Sequence, residues 1–208
     1  MIIGSARRQL RAHPTIAHLL VLLGLWALFF WRYFAPPPNR VVFPDGDFTQ
    51  QFFIFRSIAY QQLLSGNLPL WTNCFFGGYP FHADPQAQLF YPPVWINFGL
   101  LRLVGYSNFP MMALTVEATL HYLGTSIFTY LFLREECGSR IGALVGAVVM
   151  AYGGYLTGYP PLQTGNLETT TWLPVILLAM RRLAMSGGWP ATAASVAAVS
   201  MSFFAGHP

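Results

Sequence analysis

Charged residues are scarce in this chain of 208 residues. Asp, Glu, Lys and Arg make up 9% of it and hydrophobic residues 54%, whereas ordinary soluble domains are about 25% charged. A water-soluble core cannot absorb so much apolar surface, so the composition predicts an integral membrane protein. The 18 Phe, 10 Tyr and 6 Trp residues favour the same class, because membrane proteins place aromatic rings at both interfaces of the bilayer.

Lysine and several catalytic motifs are absent. The eleven basic residues are all Arg, and although the net charge is +4, they form no basic tract of the kind that binds nucleic acid. The chain contains no G-x-x-x-x-G-K-[ST], H-E-x-x-H or C-x-x-C motif, so nucleotide-driven transport, zincin proteolysis and thiol redox chemistry have no local support. The predicted partner is the lipid bilayer, with no nucleic acid.

Five apolar runs predict five membrane-spanning helices. The first has about the ~20 residues that a bilayer needs, and it lacks a small-residue cleavage site, which favours an uncleaved anchor over a signal peptide. Residues 94–104 form a shorter run that contains Arg102 and is predicted to be re-entrant or interfacial. The predicted spans are residues 16–34, 110–133, 141–158, 169–184 and 191–205.

The arginines predict the orientation of these spans. Arg7, Arg8 and Arg11 precede the first span, and the turns 134–140 and 181–188 hold four more. Cytoplasmic loops of membrane proteins are enriched in Arg and Lys. We therefore expect a cytoplasmic N-terminus and an external loop at residues 35–109, which would separate Cys74 from Cys137 by a bilayer and exclude a disulfide between them.

The external loop is far longer than the usual 2–8 residues between helices, which favours a functional role. Apolar residues recur in it at helical spacing and a glycine follows, so we expect an interfacial helix on the outer leaflet. Gly and Pro punctuate residues 69–93, which predicts irregular backbone that is buried in protein or lines a wet cavity. The helical pattern consists of Phe48, Phe52, Phe55, Ala59 and Leu63, with Gly66 as the stop.

Two carboxylates, Asp45 and Asp47, stand directly ahead of this helix. Asp47 suits a helix N-cap, where a carboxylate satisfies free N–H groups, but it equally suits acid–base chemistry at the membrane surface. Arg56 is predicted either to bind a lipid phosphate or to snorkel towards headgroups. Both pairs of interpretations remain open at this stage.

Further polar residues are candidates for a substrate site. His82, Asp84 and Gln86 lie in the Gly- and Pro-rich loop and suit contact with a phosphate or a divalent ion, or ordinary turns. The other candidates lie in or beside later spans. Glu117 and His121 share one helix face, as an intramembrane functional pair or a structural one. Glu168, at the outer mouth of the fourth span, is either a site residue together with Asp47 or a solvated loop charge that favours a helix N-terminus. His207, at the outer end of the fifth span, is a further candidate for the same site.

Several segments in a fixed order resemble one family. GDFTQQFF (46–53), GNLPLW (66–71), FGGYPF (76–81), QLFYPP (88–93) and the late AGHP (205–208) resemble bacterial YfhO-type membrane proteins, which look related to the GT-C glycosyltransferases. This resemblance implies an all-α polytopic bundle in the bacterial inner membrane, of which residues 1–208 would be the N-terminal part, with the remainder of the domain beyond Pro208.

The resemblance also implies a chemistry. GT-C enzymes take a sugar from a polyprenyl-phosphate carrier and pass it, with inversion, to an extracytoplasmic glycan or lipid acceptor, using an acidic residue of the first outer loop. By position this residue is Asp47, or Asp45. The resemblance leaves open whether Asp47 binds a divalent cation, Mg²⁺ or Mn²⁺. The alternative function is a transporter or flippase of lipid-linked or glycan substrates, for which Glu117 and His121 would be the main support.

Overall fold

A computed structural model describes residues 14–158 and 163–207. In these two ranges the chain is all-helical and contains no strand; Thr72 and Tyr79 form an isolated antiparallel bridge. The predicted all-α class is therefore confirmed. The predictions for Arg7, Arg8 and Arg11 concern positions outside the described residues.

Eight α-helices and three short helical turns follow one another along the described chain. The turns are a π-helical turn, Phe48–Phe52, and two 3₁₀ turns, Phe81–Ala83 and Pro85–Ala87. The helices are α1 (Pro14–Phe34), α2 (Phe53–Leu64), α3 (Pro92–Val104), α4 (Met111–Glu136), α5 (Arg140–Tyr152), α6 (Gly154–Thr157), α7 (Thr164–Ser186) and α8 (Trp189–Phe204).

Each of the five predicted spans coincides with helical structure. Two segments, Thr15–Phe34 and Arg140–Thr157, are long and apolar enough to cross a membrane. Helix α8 is also apolar but has only 16 residues. Helices α4 and α7 have 26 and 23 residues, and polar side chains on both face the protein interior. The chain is thus an all-helical protein with two candidate membrane-spanning segments.

Helices α1 and α4 run in opposite directions. In the second half of α1, Trp26 Nε1 donates to the carbonyl oxygen of Thr119 in the first half of α4, at 2.6 Å. Near the start of α1, Thr15 Oγ1 accepts from Arg134 Nη1 at the far end of α4, at 2.8 Å. Helix α3 lies between α1 and α4 in sequence. Its 13 residues span about 20 Å, short of the ~30 Å hydrocarbon layer.

Helices α4 and α7 run in the same direction. The hydroxyl groups of Thr125 and Thr171 are 2.9 Å apart, and further along both helices Arg181 Nε donates to Glu136 Oε2 at 2.7 Å. Arg182 bonds Glu135 beside this pair and lowers the pKa of that carboxyl. The arginine-bearing turns after α4 and after α7 consequently lie at one end of the bundle, as the alternation of spans predicts.

Small residues bring α4 and α5 together. Ala143, Ala147 and Ala151 have no exposed surface, and such stripes let helix backbones approach closely. The span predicted at residues 141–158 agrees with the candidate segment Arg140–Thr157, but its helix is interrupted at Gly153. Its extended backbone, with φ −68° and ψ 164°, separates α5 from α6, and a Cβ there would collide with the carbonyl oxygen of Val149.

The 35–109 segment packs against the start of α4 and contains the predicted helix. Phe48, Phe52, Phe55 and Ala59 are all buried, and the helix ends before Gly66, whose φ is +79°. The prediction for the polar face of this helix, that it faces the lipid headgroups, is wrong. Arg56, expected to reach lipid headgroups, has no exposed surface, and α2 thus presents charge to the protein interior.

Candidate functional site

Arg56 is the centre of a buried polar cluster. Its Nε and Nη2 atoms donate to Glu117 Oε1 at 3.2 and 2.7 Å. Burial opposes the positive charge, but the carboxylates of Glu117 and Glu168 outweigh this effect and raise the pKa of Arg56 above its usual value. Neither predicted role, phosphate binding nor snorkelling, fits a guanidinium that is enclosed and bonded to protein carboxylates.

Glu168 completes the ionisable part of this cluster. Its side chain has no exposed surface, and Oε2 lies 3.9 Å from Arg56 Nη2. The interpretation of Glu168 as a solvated loop charge is therefore wrong. On the other side of the arginine, Glu117 Oε2 accepts from Asn97 Nδ2 at 2.7 Å. Two carboxyl groups thus flank one guanidinium inside the protein.

Gln88 joins the elements around Arg56. Its Oε1 accepts from Arg56 Nη2, while Nε2 donates to Glu168 Oε2 and to the carbonyl oxygen of Ala205. Its backbone is left-handed, with φ +56°, a conformation that few non-glycine residues adopt. We call Arg56, Glu117, Glu168 and Gln88 the buried charge cluster. It ties α2, α4, α7 and the end of α8 together.

His121 continues the polar core along α4. Its Nδ1 lies 2.7 Å from the carbonyl oxygen of Glu117, and its Nε2 lies 2.7 Å from the hydroxyl of Tyr91. Trp172 Nε1 donates to the same hydroxyl at 2.8 Å. Burial, followed by the nearby Glu168 carboxyl, raises the pKa of Tyr91. Glu117, His121 and Thr125 all face the interior, as their spacing predicts, but Glu117 pairs with Arg56 and not with the His121 ring.

A cavity of about 290 Å³ opens beside this core between α3, α4 and α7. Glu117 and His121 line it together with Asn97. Most of its remaining wall is apolar; it includes Ile96, Leu100, Val116, Leu120 and Phe128. Four members of the polar core, Glu117, His121, Asn97 and Trp172, therefore border a space whose wall is mostly apolar.

Asp47, in the 35–109 segment, lies beside the start of α7 and contacts Gln163 there. Its Oδ2 accepts from Gln163 Nε2 at 2.9 Å, and Gln163 Oε1 accepts from Asn166 Nδ2 at 2.6 Å. Asp47 occupies the N-cap position but makes no side-chain cap hydrogen bond, so the capping role is not what holds its carboxylate. Asp45 is exposed and accepts from Thr49 Oγ1 at 3.4 Å.

The loop candidates have local partners. Asp84 accepts from the backbone N of Gln86 and from the Tyr79 hydroxyl, each at 2.8 Å, and the Tyr79 bond raises the pKa of that tyrosine. Gln86 Oε1 accepts from Gln51 at 2.6 Å. His82 is exposed, with Nδ1 2.8 Å from the Leu70 carbonyl oxygen. Asp84 is thereby shown to build its own turn.

A second cavity, of about 210 Å³, brings some of these residues together. His82, Asp84 and Gln88 line it opposite Phe203 and Phe204 at the end of α8. Gln88 thus belongs both to this cavity and to the buried charge cluster. His207, two residues after Ala205, is exposed. Within residues 14–158 and 163–207, no three His, Cys, Asp or Glu side chains converge as a metal site would require.

Four residues of the polar core escaped sequence reasoning: Gln88, Tyr91, Asn97 and Trp172. Gln88 and Tyr91 stand in the QLFYPP segment, and the place of this segment in the ordered series is the available signal, although the series assigns no role to either polar residue. Asn97 and Trp172 carried no signal, because single polar or aromatic residues are ordinary in apolar helices.

Comparison with known proteins gives no match: no family model, no curated protein and no solved structure is found to be similar to this chain.

Proposed function

We propose that the chain belongs to a membrane glycosyltransferase of the bacterial inner membrane, which moves a sugar from a polyprenyl-phosphate carrier to an extracytoplasmic glycan or lipid. In this proposal five helical segments cross the bilayer and the 35–109 segment is external. The proposal rests on the resemblance to YfhO-type proteins and on one observation in particular: the Asp47 carboxylate is held by Gln163 at the start of α7 and is not engaged in capping.

Asp47 would act as the general base. It removes the proton of the acceptor hydroxyl while the acceptor oxygen forms a bond to the anomeric carbon and the bond from that carbon to the carrier phosphate breaks. The configuration inverts, and the carrier leaves as polyprenyl phosphate. Glu168 is five residues beyond Gln163, about 8 Å along the helix axis. In this proposal the buried charge cluster therefore fixes the position of α7 beside Asp47 and does not contact the reacting atoms.

A transporter or flippase of lipid-linked sugars is the second candidate. Its specific support is the buried Arg56–Glu117 ion pair, whose glutamate lines the 290 Å³ cavity, because ionisable residues inside a membrane commonly mark a transport pathway.

One assay separates the two functions. Proteoliposomes containing the protein, radiolabelled polyprenyl-phosphate sugars and a membrane extract as the source of acceptors should release unlabelled polyprenyl phosphate as label enters a glycan or lipid product. Protein-free liposomes are the control. Movement of the intact lipid-linked sugar between leaflets, without release of polyprenyl phosphate, would instead support the transporter and contradict the transferase.

The proposed orientation has its own test. A reporter fused after Arg182 is expected to be cytoplasmic and one inserted near Asp84 external, because Arg-rich turns stay inside. Cys74 and Cys137, both free and exposed, provide a matched check: in intact cells an impermeant thiol reagent should label Cys74 and spare Cys137. Two reporters on the same side would contradict the five-span topology.

A further inference from the structure

The charges in the buried cluster do not balance if both acids are ionised. Arg56, with no exposed surface, contributes one positive charge, and two carboxyl groups face it, with side-chain exposures of 3% for Glu117 and 0% for Glu168. An excess negative charge sealed from water is strongly unfavourable, so a buried group gives up its charge before it stays unpaired. Another cation or a bound proton must supply the balance.

His121 is the only other ionisable nitrogen within 4 Å of these carboxyl groups in the described residues, and its hydrogen bonds favour the neutral ring. The Glu117 carbonyl can only accept, so Nδ1 carries the hydrogen of that 2.7 Å bond. Nε2 then accepts from the Tyr91 hydroxyl, whose oxygen accepts from Trp172. A second proton on the ring would deprive the buried Tyr91 hydroxyl of its acceptor.

Glu168 shows the marks of a carboxylic acid. Its Oε2 accepts from Gln88, but Oε1, which is buried, accepts no hydrogen bond from any described residue. Both carboxyl groups also face the same nitrogen of Arg56: Nη2 lies 2.7 Å from Glu117 Oε1 and 3.9 Å from Glu168 Oε2. A carboxylate would leave an ionised oxygen buried without a donor.

We propose that Glu117 and Glu168 form a proton-binding site in which the two carboxyl groups hold one proton beside Arg56. Glu168 carries the proton and Glu117 is ionised against the guanidinium. The site exchanges its proton through the 290 Å³ cavity, which Glu117 and His121 line. Tyr91 and Gln88 complete its polar surroundings. This inference goes beyond the proposed function and holds whether the protein transfers or transports sugars.

Infrared spectroscopy of the full chain in lipid nanodiscs at neutral pH tests the proposal. The chain has only seven Asp and Glu residues, and the five outside the pair are at least partly exposed, so the carbonyl band of a buried carboxylic acid reports on this pair. We expect one such band, shifted by exchange into ²H₂O. Its absence from the wild-type protein would overturn the proposal.

Three variants make the test specific. Glu168→Gln should lose the band completely, while its amide replaces the neutral acid with little change in melting temperature. Glu117→Gln should also lose it completely, because Arg56 then requires Glu168 as its carboxylate. Glu136→Gln, outside the cluster, should keep it. A band that persists in Glu117→Gln would show that the two acids do not share a proton, and one that persists in Glu168→Gln would show that it arises elsewhere.

Discussion

Asp47→Asn is expected to lower the initial rate of sugar transfer by about 10²–10⁴-fold, the usual contribution of a general base. The carbonyl oxygen of Asn can still accept from Gln163, so the junction between the 35–109 segment and α7 remains. The amide cannot take a proton from the acceptor hydroxyl. The measurement is the rate of polyprenyl phosphate release at saturating lipid-linked sugar, with expression and melting temperature followed in parallel.

Asp45→Asn is the matched control, since this neighbouring carboxylate is exposed and has only a 3.4 Å contact with Thr49. Its rate should stay near that of the wild-type protein. If Asp47→Asn also keeps a near-normal rate, Asp47 is not the base. If Asp45→Asn alone loses activity, the catalytic assignment moves to Asp45.

Arg56→Met is expected to destabilise the folded protein by about 3–5 kcal/mol, the usual consequence of leaving a buried charge without its partner. The variant keeps an unbranched side chain of similar length but leaves the Oε1 atoms of Glu117 and Gln88 without their donor. The measurement is the free energy of unfolding in detergent micelles, compared at one detergent composition.

Two variants show whether buried charge is the cause. The double variant Arg56→Met with Glu117→Leu should recover most of the lost stability, because apolar replacement of a whole buried ion pair is often neutral. Arg182→Met removes an arginine whose side chain is 56% exposed, and exposed pairs contribute about 0–1 kcal/mol. Equal losses in Arg56→Met and Arg182→Met would contradict the importance that we give to the buried charge cluster.

Much of the helical framework follows from local patterns in the sequence. The period of Phe48, Phe52, Phe55 and Ala59 predicts the helix that the structure contains, because one packed face repeats every three to four residues. The long apolar runs indicate the positions of the long helices by their length and composition. The break at Gly153 does not follow, since a glycine within an apolar run is equally compatible with continuous helix.

The candidate site depends on contacts that no local pattern encodes. Arg56 belongs to the polar face of its own helix, and this pattern predicts a side chain that faces solvent or lipid headgroups. Its actual surroundings are set by Glu117, 61 residues away, and by Glu168 on α7. The number of charged residues gives a better indication. In a chain with so few ionisable residues, an arginine and two glutamates near predicted spans are expected to pair with one another.

The link between α2 and α7 through Arg56 and Gln88 constrains the order in which the chain can mature. Helix α2 is synthesised before either of its acidic partners exists, and Glu168 emerges only after α4 and α5. The Arg56–Glu117 pair can form once α4 has been made, whereas the contacts of Arg56 and Gln88 with Glu168 must wait for α7. In the proposed topology, a ribosome-bound chain halted before α7 lacks the bond from Gln88 to Glu168, so external proteases should cleave its 35–109 segment faster than the same segment of a chain that includes α7.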